Sequence, residues 1–101
     1  MAPVEFRVII TDEAFANLDS ILDYIKLQSP QNAAAVIDRL LASIDGLKYF
    51  PHRFALARRI SQQAGQETRS MPEPPFLVDY QIDETLKVVH VVTVIHGARR
   101  R

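Results

Sequence analysis

The sequence contains no cysteine. That excludes a disulfide framework and any zinc site built on thiolates. It also lacks a long apolar run: nothing approaches the ~18–20 consecutive apolar residues that a membrane-spanning helix requires. The first residues, Met1-Ala2-Pro3-Val4-Glu5-Phe6-Arg7, have no basic region followed by an apolar stretch, so no signal peptide is expected. Net charge is absent too, with 12 basic against 12 acidic side chains, which argues against a simple polyanion binder. These absences together fit a protein of the reducing cytoplasm that does not associate with membranes.

What is present is one domain's worth of chain. The 101 residues fill a single domain over 1–101 and leave no room for a second. Apolar residues make up 48% of the sequence, enough for one core and too many for a disordered tail. A core of this size is modest, so a partner that covers apolar surface would matter to stability. The charge is unevenly spread. Residues 1–50 carry four basic and seven acidic side chains, 4 − 7 = −3, and residues 51–101 carry eight and five, 8 − 5 = +3. Such a division suits a protein whose two faces meet different partners, although short chains also produce it by chance.

Local patterns divide the chain into elements. Val4 to Ile10 is short, apolar and rich in β-branched residues, which predicts a first strand. Thr11 reads as a helix N-cap, with Asp12 and Glu13 in the first turn where acids favour the helix dipole. Phe15, Leu18, Leu22 and Ile25 then recur at helical spacing. Ser29-Pro30 is a second helix start. Ala33, Val36, Ile37, Leu40, Leu41, Ile44 and Leu47 form its apolar stripe, and the helix is expected to run to about Phe50, stopped by Pro51. Gly46 is a weak point within it, costing roughly 1 kcal/mol against Ala. The stretch from His52 to Glu67 is expected to be a loop, with room for a short helical piece around 55–61. Thr68 to Met71 can form a short strand, and Pro72-Glu73-Pro74-Pro75 a turn. Phe76, Val78, Tyr80 and Ile82 alternate with Leu77, Asp79 and Gln81, the pattern of a half-buried strand. Asp83-Glu84-Thr85 turns the chain into Leu86 to Ile95, a strand β-branched enough to be central. Gly97 ends it, before Ala98-Arg99-Arg100-Arg101. The expected fold is α+β, order β-α-α-β-β-β, with a helical hairpin packed on one face of a small, mainly antiparallel sheet whose other face is open.

Four stretches in this order resemble the RelE/ParE toxin superfamily, the ParE or plasmid-stabilisation branch in particular. They are Leu18-Asp19-Ser20-Ile21-Leu22-Asp23-Tyr24-Ile25; the run from Ser29-Pro30 through Val36-Ile37-Asp38-Arg39-Leu40 to Phe50-Pro51; Thr68-Arg69-Ser70-Met71 with Pro75-Phe76-Leu77-Val78-Asp79-Tyr80; and the ending Val92-Thr93-Val94-Ile95-His96-Gly97-Ala98-Arg99. The resemblance implies the toxin of a bacterial type II toxin–antitoxin pair, which inhibits growth and is neutralised by a cognate antitoxin. Two kinds of target occur in the superfamily: RelE-like members cleave mRNA on the ribosome without a metal, and ParE members inhibit DNA gyrase.

Metal-free RNA cleavage needs a proton acceptor, a proton donor and cations for the phosphate. His96 and Arg69 are the candidates for that chemistry. The rest of the nuclease set is missing. Leu77 stands where the nucleases carry an arginine, Gly97 stands where a tyrosine follows the terminal histidine, and the chain is neutral rather than basic. A gyrase-binding toxin is therefore the leading expectation and a ribosome-dependent RNase the alternative, with no cofactor and no metal in either. Both candidates also have structural readings. His96 can be a hydrogen-bonding group at a strand end, and Arg69 can bond backbone carbonyls or a carboxylate such as Asp79 or Glu67. His90 shares strand parity with His96, but six residues of strand separate them by ~20 Å, too far for one metal. His52 is expected to be simply exposed. Arg58, Arg59, Arg69, Phe76, His96 and Arg99 are the candidate antitoxin or target contacts, with Phe76 beside a docking groove at Pro72–Pro75. Nothing resembles a helix-turn-helix or zinc finger, so DNA contact is expected only through the antitoxin.

Overall fold

Thr11 separates the first strand from the first helix. In the computed structural model, which describes residues 4–99 with the exception of the Arg99 side chain, Thr11 Oγ1 accepts a hydrogen bond from the Ala14 amide at 3.3 Å. Asp12 and Glu13 occupy the first turn of α1, Asp12–Gln28. Helix α2, Pro30–Asp45, starts on Pro30 as the Ser-Pro pair predicts. Ser29 does not cap it through its side chain, whose oxygen accepts from the Asn32 side-chain amide at 2.9 Å instead. Both helices bury a stripe, with Ala14 and Leu18 on α1 and Ala33, Leu40 and Ile44 on α2.

Helix α2 stops five residues short of Phe50. From Gly46 the chain tightens into a 3-10 turn, Gly46–Lys48, that sinks Leu47 into the core. The reason is competition from the N-terminal segment: the Phe6 amide donates to Lys48 O at 2.9 Å, and Glu5 bridges Tyr49. Those backbone groups cannot also continue a helix. The first strand is correspondingly shorter than expected, β1, Arg7–Ile10.

The stretch expected to be mainly loop contains a third helix, α3, Arg58–Ala64, ended by Gly65 at φ 68°. Strand β2, Arg69–Glu73, runs through Pro72, which reading the prolines only as a turn did not anticipate. A proline is tolerated there because β2 lies at the sheet edge. The turn itself is Pro74-Pro75, joined by a cis peptide bond. Strands β3, Phe76–Asp83, and β4, Val88–His96, complete a sheet of order β1-β4-β3-β2. Two pairings are antiparallel and β1 lies parallel to β4. The architecture is α+β, three helices with a four-stranded mixed sheet.

Register assigns the faces. Phe76, Val78, Tyr80 and Ile82 share one side of β3 and pair with His96, Val94, Val91 and Val89 of β4. These, His96 excepted, form the core with Met71 of β2 and Leu18, Leu40 and Ile44 of the hairpin. Leu77, Asp79 and Gln81 point to the other face, beside Ile95, Thr93 and His90. Asp79 pairs with Thr93 and Tyr80 with Val91, so Val92 is an extra residue on β4, a β-bulge. Strand β1 ends at this level, and α1 takes over its role: Asn17 Oδ1 accepts from the Val94 amide at 3.0 Å, and Thr11 Oγ1 donates to Val92 O at 3.4 Å. Among the described residues no helix is long and apolar enough to cross a membrane.

Candidate functional site

Arg69 opens β2 on the core side, directly across from Tyr80. Its Nη1 donates to Phe54 O at 2.7 Å and to His52 O at 3.2 Å. The Tyr80 hydroxyl donates to Pro51 O at 2.5 Å inside the core. Burial pushes the Tyr80 hydroxyl up to about 12, against the pull of the Arg69 and Arg53 charges. These two side chains hold the 51–54 turn against the sheet. Asp79 cannot serve as the carboxylate partner of Arg69, because it lies on the opposite sheet face, where it accepts from Thr93 Oγ1 at 2.8 Å.

His96 ends β4 opposite Phe76, whose ring it meets edge-on with centroids 5.7 Å apart. Its Nδ1 accepts from the Ala98 amide at 3.1 Å, so the neutral ring carries its proton on Nε2. The imidazole caps the final turn, Gly97–Arg99, and remains exposed. Arg69 and His96 are not brought together. Their partners on β3, Tyr80 and Phe76, are four residues apart, ~13 Å along the strand, and β3 itself lies between them. One phosphate could not touch both.

The remaining predicted contacts are scattered. Phe76 is a core residue only 7% exposed, so it does not line a groove. Arg58 and Arg59 are exposed residues that open α3. The Arg99 side chain, Arg100 and Arg101 lie outside the described residues. His90 does not share a face with His96: the bulge at Val92 shifts the parity, so His90 pairs with Gln81 on the face opposite the core. His52 is exposed but engaged. It hydrogen-bonds Glu84, which, with Lys87 nearby, holds that carboxyl below its usual range, and it meets the Phe6 ring edge-on. Among the described residues no group of side chains is arranged to hold a metal.

Sequence reasoning missed two features. The first is apolar surface outside the sheet: Phe15, Tyr24 and Leu27 stand 53–83% exposed on α1, and Phe50 is 64% exposed in the left-handed region at φ 52°. A bulky residue rarely adopts that conformation. The second is a basic cleft between α2 and β2 that contains Arg39, Arg53 and Glu73. Arg39 lay in plain view on the polar side of α2, yet its partner Glu73 is 34 residues away in sequence and belongs to the segment read as a turn.

A hairpin of helices over a small sheet defines a small α+β domain. The model of the family described as "ParE toxin of type II toxin-antitoxin system, parDE" matches residues 8–101, and the chain belongs to that family. It is a type II toxin of the RelE/ParE superfamily. "Toxin RelE2" of Caulobacter vibrioides is 32% identical over 93 residues, covering 92% of this chain and 97% of that protein. Among solved structures, the chromosomal ParDE system from P. aeruginosa superposes with a TM-score of 0.72 at 18% identity, over 91% of this chain and 96% of that one. The RelBE2 toxin–antitoxin complex from Mycobacterium tuberculosis gives 0.62 at 23% identity, over 92% of each. These two share the fold.

Proposed function

We propose that this toxin arrests growth by binding a cellular target, DNA gyrase by family resemblance, and that a cognate antitoxin in the same cytoplasm neutralises it. The observation that carries this reading is the employment of the two candidate catalytic groups. Arg69 clamps carbonyls of the 51–54 turn and His96 caps the Gly97–Arg99 turn, with a strand between them. A metal-free nuclease needs such groups converging on one phosphate. Neighbours of the same fold were solved as toxin–antitoxin assemblies, which supports an antitoxin as partner.

Expression of the chain alone is expected to stop growth, and co-expression of the adjacent reading frame to restore it. Purified protein is expected to inhibit gyrase supercoiling. Growth arrest with supercoiling untouched would remove the gyrase target. The RNase reading has its own readout: translation-coupled mRNA cleavage that disappears in His96→Ala would establish it.

A further inference from the structure

Between the C-terminal half of α2 and the edge strand β2 lies a cleft of about 370 Å³. Its apolar lining includes Ala42, Phe54 and Met71, and its charges are Arg39, Arg53 and Glu73. Arg39 Nε meets Glu73 Oε1 at 3.3 Å, with the arginine side chain 53% exposed and the glutamate 21%. Arg53 has no carboxylate within ion-pair distance among the described residues. Its guanidinium lies 5.0 Å from the Phe54 ring centroid and makes one long hydrogen bond, 3.4 Å, to Tyr49 O. Its Nη2 sits over Gly46, 3.7 Å from where a Cβ would be. A guanidinium offers five N–H donors in a fork that matches a carboxylate, and this one stands beside apolar surface with most of its donors uncommitted to protein carboxylates.

We propose that this cleft seats an acidic segment of the antitoxin, a carboxylate on Arg53 with a neighbouring apolar side chain against Phe54 and Ala42. Glu73 is then an internal carboxylate that occupies Arg39 and competes with the incoming segment. The inference rests on the toxin reading for the identity of the partner. Charge and shape select a peptide over a nucleic acid. The cleft's charges sum to 2 − 1 = +1, and Ala42, Phe54, Met71 and Pro72 make part of its lining apolar, whereas a phosphate backbone calls for a row of cations and is repelled by Glu73. A half-exposed ion pair such as Arg39–Glu73 is weak and readily exchanged for a better-fitting carboxylate.

The test is titration of the toxin with the protein encoded by the adjacent reading frame, at about 50 mM and about 300 mM NaCl, where screening differs strongly. Arg53→Gln is expected to weaken the complex about tenfold, the scale of a hydrogen bond to a charged group, and to flatten its salt dependence. Glu73→Gln is expected to tighten it several-fold by removing the internal competitor. Affinities within twofold of the parent for both variants overturn the proposal. Should Arg53→Gln fail to fold, Glu73→Gln decides alone: tightening upholds the cleft and an unchanged affinity sinks it. A single-stranded RNA whose binding is lost in Arg53→Gln, with antitoxin affinity unchanged, also overturns it and places phosphate there instead. Growth arrest and its rescue read the toxin assignment separately. Arrest and rescue with unchanged variant affinities remove the cleft alone. A tightened Glu73→Gln complex without arrest removes the toxin activity alone.

Discussion

Tyr80 carries a hydroxyl into the core, where its bond to the Pro51 carbonyl ties the end of the helical half to the central sheet. Both residues are fully buried, so removing the donor leaves an acceptor with nowhere to turn. Tyr80→Phe is expected to cost about 1–2 kcal/mol, read as a lower denaturant midpoint. The pH dependence has a definite sign. Folding raises the phenol from 10.0 to about 12, so the protein binds that proton more tightly when folded. The contribution is whole below pH 10 and is lost as pH rises toward 12. The alkaline limb of the stability curve should therefore fall more steeply in the parent than in Tyr80→Phe. At Gly97 the constraint is steric. A Cβ there would stand 3.2 Å from Pro75 O, the same oxygen that accepts from the Gly97 amide at 2.7 Å. Gly97→Ala is expected to destabilise by about 1 kcal/mol, measured by thermal melting. Alternation marked Tyr80 as inward and the strand's end marked Gly97 as a stop. Neither pattern could show Pro51 or Pro75 as a partner, because those contacts form only after the chain folds back.

At the scale of elements, local pattern located both long helices and all four strands, the strands to within three residues, because most of them bury one apolar face. It failed where non-local hydrogen bonds decide. Helix α2 has apolar spacing to Leu47 and leaves the α-helix at Gly46, where the N-terminal segment claims its backbone groups. Helix α3 has no buried residue and so leaves no stripe to read. The bulge at Val92 inverts the parity that placed His90 and His96 on one face, and a bulge has no mark in a run of β-branched residues. The cleft was invisible because its two walls come from α2 and β2. Gly46 keeps ordinary right-handed helical angles, φ −62° and ψ −17°, and a Cβ there meets nothing closer than Arg53 Nη2 at 3.7 Å. The left-handed freedom of glycine is therefore not used. Gly46→Ala is expected to stabilise by about 0.5–1 kcal/mol through the unfolded chain, seen as a raised melting temperature with unchanged secondary structure.

For the whole molecule, the tension lies between a small core and a large apolar surface. The core centres on the two hairpin stripes and one sheet face, while Phe15, Tyr24, Leu27, Phe50 and Leu86 stand more than half exposed. Single exposed apolar residues are ordinary, but several on one short chain leave apolar surface that a partner can cover. With 12 basic and 12 acidic side chains, little net repulsion keeps copies apart. A partner that binds only the folded form stabilises it by mass action, about 2.7 kcal/mol at a hundredfold excess over Kd. In a domain of about 100 residues each kcal/mol moves the midpoint by roughly 4–8 °C, so saturating antitoxin should raise the melting temperature on the order of 10–20 °C. The rise should continue logarithmically as more antitoxin is added. Calorimetric scans at several antitoxin concentrations check this. A midpoint that stays fixed as the concentration climbs would mean that the antitoxin does not bind the folded toxin in preference to the unfolded chain.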